Sequence, residues 1–274
     1  MHAPDAPSPI ARRELVLVAT MLVGLARLVD LSDAFLVAGL LPIAMLVAGS
    51  GILGGDEAPT RPYEALLIPA VLAGGSAAAI QLVPAGIWVL VALGAFALLL
   101  DRVVALEMRL VAQPGGVTDG DRSRVMLYAV ATAFVAFTGM ATLVPGGLAE
   151  PGGATSAGSQ SLSEVWLLVL ALDDALVALL LGYRVAALRY GSAREAARSA
   201  LTYGIVIAVA AGAIRAIDLP RLVGPAILTL VFYLWDAQHG SAPARRREPR
   251  FLWEMILLGV LAVVVIAWNL RLRG

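Results

Sequence analysis

The chain has 274 residues, of which 60% are hydrophobic and only 15% charged, with a mean hydropathy of +0.86. A soluble domain carries about 25% charged residues, so this composition points to a membrane-embedded protein. The formal net charge is zero and the basic residues are scattered among apolar runs, which removes nucleic acid as a partner. Cysteine is absent and all 20 basic residues are arginine, so disulfides, thiolate metal sites, cysteine nucleophiles and lysine Schiff-base cofactors are excluded.

A helix crossing the hydrocarbon core needs about 20 mainly apolar residues. That ruler selects nine stretches: 13–30, 33–53, 63–82, 85–106, 124–144, 163–183, 199–218, 221–237 and 251–270. The first, eighth and ninth are short or polar-ended. The expected fold is therefore all-α, a polytopic transmembrane helix bundle of eight to nine spans forming one integral membrane domain over residues 1–274. Residues 1–12 read as a disordered cytoplasmic tail. Arg12-Arg13 before an apolar run is a signal-peptide cue, but Arg27 interrupts the end of that run and no A-x-A site follows, so the segment is read as a retained first span.

The first span ends in Gly24-Leu-Ala-Arg27-Leu-Val-Asp30-Leu31, and the seventh in Gly212-Ala-Ile-Arg215-Ala-Ile-Asp218-Leu219, so the pattern G-x-x-R-x-x-D-L occurs twice. Glu64, after Arg61-Pro-Tyr, and Glu254, after Arg250-Phe-Leu-Trp, open the third and ninth stretches at nearly the same offset that separates Arg27 from Arg215. The near-constant offset suggests that spans 1–3 and 7–9 are halves of a duplicated unit, as in many transporters. Arg27 and Asp30, like Arg215 and Asp218, stand three apart, a spacing at which one helix face carries both and an ion pair forms.

The fifth stretch is preceded by Thr118-Asp119-Gly120-Asp121. Its D-x-D could bind a metal, but the glycine and the position before a helix make it a turn and N-cap. Residues 145–162 are Gly/Ser-rich, without arginine, and read as a flexible external loop. The sixth stretch then carries Asp173 and Asp174 about ten residues from either end, too deep to reach the headgroups. An acid at mid-bilayer costs roughly 2.5–3.5 kcal/mol and marks a functional site by default. Ala171, Ala175, Ala178 and Gly182 form a small-residue face suited to close helix packing, bordered by Asp174, while Asp173 points nearly the opposite way. If neither acid faces lipid, this helix lies at the centre of the bundle beside a polar cavity.

Basic residues stay on the cytoplasmic side. With the N-terminus inside, 15 arginines fall there and five outside, placing the protein in the inner (plasma) membrane with a cytoplasmic N-terminus. The arginines of residues 183–199 are spaced like a helix lying at the headgroups, where anionic lipids are the natural partner. Asp101, Glu107 and Asp236 occupy cytoplasmic helix ends, where acids are solvated or ion-paired.

No catalytic constellation stands out. His2 and His239 lie in polar segments, no Gly-rich phosphate loop or Ser/His pairing occurs, and Asp173-Asp174 lacks the further aspartates that intramembrane prenyl transfer needs. No metal or cofactor is expected, and enzymatic activity is disfavoured. Two readings remain: a small-solute, ion or lipid transporter, or a non-catalytic membrane subunit or scaffold working with a membrane-protein partner. The candidate intramembrane polar site is Asp173, Asp174, Arg27, Asp30, Arg215 and Asp218, and the two central acids tilt the choice toward transport.

Overall fold

The computed structural model describes residues 9–53, 62–112, 117–144, 164–215 and 222–240, together with 249, 253–254, 256–260, 263–264 and 267. Among the described residues every regular element is helical. Eight α-helices follow in order: α1 Pro9–Ala26, α2 Leu31–Leu53, α3 Pro62–Ala79, α4 Ile87–Ala112, α5 Asp119–Leu143, α6 Glu164–Ala187, α7 Ala193–Arg215 and α8 Val223–Gly240. A single 3-10 turn, Ile80–Leu82, extends α3. The described residues between 253 and 267 are helical as well.

Among the described residues, six helices are long and apolar enough to cross a membrane: those over Asp33–Gly51, Tyr63–Leu82, Ile87–Ala112, Asp119–Leu143, Glu164–Ala187 and Ala193–Ile214. α1 and α8 have 18 residues each and carry charge within them, which keeps them below that mark. The first helix starts at Pro9, inside the segment read as an N-terminal tail. Proline suits a helix start because its missing N–H has no partner to lose there.

The most enclosed helix is α3, not α6. The α3 span is 78% buried and that of α6 only 39%, so the central place expected for the sixth stretch belongs to the third. The reason lies in side-chain size. α3 runs Ala-Val-Leu-Ala-Gly-Gly-Ser-Ala-Ala-Ala over residues 70–79, so other backbones approach it from all sides, and it packs on α1, α2, α4, α5 and α6. α6 instead leaves Val165, Leu168, Leu172 and Leu176 exposed as a stripe for lipid.

Two crossings fix α3. A Cβ on Gly139 of α5 would lie 2.3 Å from the carbonyl oxygen of Gly75, and one on Gly75 2.7 Å from Cα of Ala136, so only glycine allows this approach. On the other side, Gly74 sits against Pro42 and the Ala38 carbonyl of α2. Pro42 lacks the N–H that would serve that carbonyl within the helix. The small-residue face of α6 behaves as its sequence implies: Gly182 lies under the Tyr203 ring of α7, and Gly204 of α7 approaches the Ala175 carbonyl.

Candidate functional site

Helix order and ion pairing together define two ends of the bundle. Arg12 of α1 meets Asp101 of α4 at 3.0 Å, Arg109 of α4 meets Asp121 of α5 at 2.5 Å, and Arg184 of α6 meets Glu107 of α4. Arg189, just beyond α6, meets Asp236 of α8 at 2.7 Å. The helix ends joined in this way are those that the arginine distribution assigns to one side. These four ion pairs all belong to this arginine-rich end.

The best-formed pair there is buried. The side chains of Arg184 and Glu107 are 7% and 2% exposed; Nε of Arg184 donates to both carboxylate oxygens, at 2.9 and 3.1 Å, and Nη2 donates to Oε2. One residue earlier, the Tyr183 hydroxyl donates to Oε1 of Glu64 on α3 at 2.8 Å. A second cluster joins α7 and α8, where Tyr203 donates to Oδ1 of Asp236 at 2.6 Å and Nη2 of Arg189 donates to both Asp236 oxygens at 2.7 Å. Burial alone pulls the Arg189 pKa down, but its hydrogen bonds to Asp236 and the carboxylate charge outweigh this, so the pKa is raised and the guanidinium stays charged.

Thr118-Asp119-Gly120-Asp121 is a turn and cap, as its composition implies. The Thr118 hydroxyl accepts from the Asp121 N–H at 3.2 Å and is 2.7 Å from Oδ2 of Asp121, opening α5. Glu107 and Asp236 are ion-paired rather than solvated, being 1% and 5% exposed. Their arginine partners lie 77 and 47 residues away, a separation that no local spacing rule reaches.

At mid-depth the chain is apolar except for a few groups. Asp174 is fully enclosed, at 0% exposure, on the face of α6 shared with Leu170, Val177, Leu181 and Arg184, all buried. Asp173 is half-buried, beside the exposed stripe of Leu172 and Leu176. The two acids thus differ in surroundings, as their positions imply: Asp174 borders the small-residue face of α6 and Asp173 points away from it. On the adjacent helix α5, Thr132 is also 0% exposed, and its hydroxyl has no hydrogen-bond partner. Thr20, Thr142 and Thr229 bond back to the carbonyl four residues earlier; Thr132 does not, nor does the buried Thr138 further along α5. Thr132 is as far along α5 from its first residue, Asp119, as Asp174 is along α6 from its last, Ala187. By the helical rise both lie roughly 20 Å from the arginine-rich end. Nothing in the sequence distinguished Thr132.

The remaining candidates separate from these acids. α1 stops at Ala26, and Arg27 and Leu28 form a tight turn through bonds from their N–H groups to the Gly24 and Leu25 carbonyls. Asp30 is exposed and its carbonyl receives the N–H groups of Asp33 and Ala34 as α2 begins. Because α1 ends before Arg27 and α2 begins after Asp30, both lie in the connecting turn and do not form the ion pair that helical spacing implied. Arg215 closes α7; its side chain and Asp218 lie outside the described residues. Among the described residues no three His, Asp or Glu side chains gather as a metal site requires. An open hollow of about 290 Å³ on α8, lined by Val231, Leu234, Trp235 and Gln238, offers a solute one polar side chain besides the indole.

The chain matches no known protein family, no curated protein and no solved structure. What it does must therefore be argued from its own geometry.

Proposed function

We propose that this membrane protein is a small-solute or ion transporter in which Asp174 is the intramembrane carboxylate that carries a proton or small cation. One observation supports the reading above the others: Asp174 is wholly enclosed at mid-depth, level with an unsatisfied hydroxyl, Thr132, on the neighbouring helix. A carboxylate and a hydroxyl are the groups that replace water around a proton or a small cation in a low-dielectric interior. Asp173, half-buried at the lipid-facing edge, is assigned a lesser part.

The wider reading follows the sequence. Eight to nine spans form one membrane domain in the inner (plasma) membrane with a cytoplasmic N-terminus; residues 145–162, read from the sequence as an external loop, lie outside the described residues. Exposed Arg13, Arg102, Arg194 and Arg198 belong to the cytoplasmic end and meet anionic lipid headgroups. Spans 1–3 and 7–9 are read as a duplicated pair. Their helix limits keep step: with Arg27 aligned on Arg215, α1 falls within α7 and α2 overlaps α8.

The test is a flux measurement in proteoliposomes with an entrapped pH-sensitive dye. Asp174→Asn is expected to abolish proton-coupled flux and Asp173→Asn to leave most of it. Full flux in the double variant would transfer the acids to a structural role. The second reading, a non-catalytic membrane subunit, is favoured by α2 and α4, each only 28% buried over its span, whose Phe35, Leu36, Leu40, Ile43, Trp88 and Leu90 stand exposed where another membrane protein could seat.

A further inference from the structure

Asp174 and Arg184 share one buried face of α6. Residues 170, 174, 177, 181 and 184 step by four, three, four and three, the spacing of a single helical stripe, and all five are buried. Following that stripe from Asp174 toward the arginine-rich end leads past Val177 and Leu181 to the Arg184–Glu107 pair. Beside it stands the Tyr183–Glu64 hydrogen bond.

The pair joins two helices that do not pack along their lengths. α6 lies chiefly against α7, α5 and α3 and also meets α8, while α4 lies chiefly against α1 and α3 and also meets α5. Two long side chains thus span the space between α4 and α6. The Arg189–Asp236–Tyr203 cluster differs, because α7 and α8 are already packed together and the cluster fastens neighbours. Where a space is to be closed permanently, apolar side chains do so at less cost, since desolvating two charges consumes most of their attraction. A charged closure has the opposite merit. When the helices part, water enters and restores the solvation of both ions, so open and closed states lie near in free energy, which a two-state element requires.

We propose that Glu107–Arg184, steadied by Tyr183–Glu64, is a gate that separates the arginine-rich side from Asp174, and that the structure records it closed. The proposal rests on the assignment of Asp174 as the carrier. The ion pairs between helices described above lie at the arginine-rich end, the side on which this gate acts.

Access can be measured without knowing the solute. The chain has no cysteine, so Val177→Cys in the full chain provides a single thiol on the stripe between Asp174 and the pair. In liposomes, its reaction with a charged, membrane-impermeant methanethiosulfonate added at the arginine-rich side reports opening. Glu107→Gln is expected to raise the rate about tenfold or more, because a minor open state of a few per cent becomes a major one. Exchanging the charges, Glu107→Arg with Arg184→Glu, restores the slow rate, and Tyr183→Phe, the mildest change, gives a smaller rise of about two- to threefold. Asp236→Asn, which loosens the α7–α8 cluster, leaves the rate low. The gate is refuted if Glu107→Gln and Tyr183→Phe both leave the rate unchanged, if the exchange fails to restore it, or if Asp236→Asn accelerates it equally. Flux through Asp174→Asn tests the carrier separately, so a sealed Val177→Cys in the gate variants and a fully active Asp174→Asn point to different errors.

Discussion

The two ends of the bundle are held by different chemistry. At the arginine-rich end, helices are tied by charged side chains: Arg12 to Asp101, Arg109 to Asp121, Arg184 to Glu107. From the middle toward the other end, α3 is held by backbone-to-backbone approach at Gly74, Gly75 and Gly139. The contrast follows from water. Long charged side chains are tolerated where headgroups and water are near, whereas deep in hydrocarbon close packing of small residues is the available adhesive. Against that background an enclosed acid at mid-depth is the anomaly, because it stands at a depth where charge is most costly.

The difference can be broken most severely at the charged end. Arg184→Ala leaves Glu107 buried without its main partner and is expected to destabilise the protein by about 3–5 kcal/mol. Unfolding in mixed micelles of rising SDS fraction, followed by circular dichroism, measures this. Replacing both partners by apolar residues, Glu107→Leu with Arg184→Met, recovers most of the loss. At the packed crossing, Gly139→Val forces a branched side chain against the Gly75 carbonyl and costs about 1–3 kcal/mol in the same assay. Thr118→Ala removes the cap of α5 and costs about 1 kcal/mol, with helicity lost only at that helix start by hydrogen exchange. The smallest effect belongs to Arg122→Gln. Its partner Asp119 is almost fully exposed, and no change in melting temperature is expected. A large effect there would show that surface pairs, not buried ones, hold this end.

Much of the helical framework was legible in the sequence because hydrocarbon demands a long apolar run, and such runs are visible without any knowledge of partners. The α6–α7 contact was half legible, since Ala171, Ala175, Ala178 and Gly182 announce a close-packing face but not what fills it; the answer, Tyr203, follows only from the fold. The cap at Thr118 could be read locally. The central helix could not be inferred from the acids. Two adjacent carboxylates, about 100° apart around the helix, imply enclosure on both of their sides only if both are enclosed, and Asp173 is half-buried. The better signal was the Ala- and Gly-rich run at residues 70–79, small on every face. The Arg27–Asp30 pairing failed because its spacing rule holds only inside a helix, and α1 ends at Ala26. Glu107 and Arg184 were out of reach of any pattern, being brought together by two helices distant in sequence.

The glycine-backed crossing of α3 and α5 has a mechanical consequence. Sliding one helix along the other by a single residue, about 1.5 Å, would carry the Ala136 or Ala78 methyl group into backbone that now touches only hydrogen. The pair is therefore keyed rather than greased, and behaves as a spindle of fixed register. Displacement within this protein has to come from helices swinging about that spindle, not from the spindle lengthening or shearing.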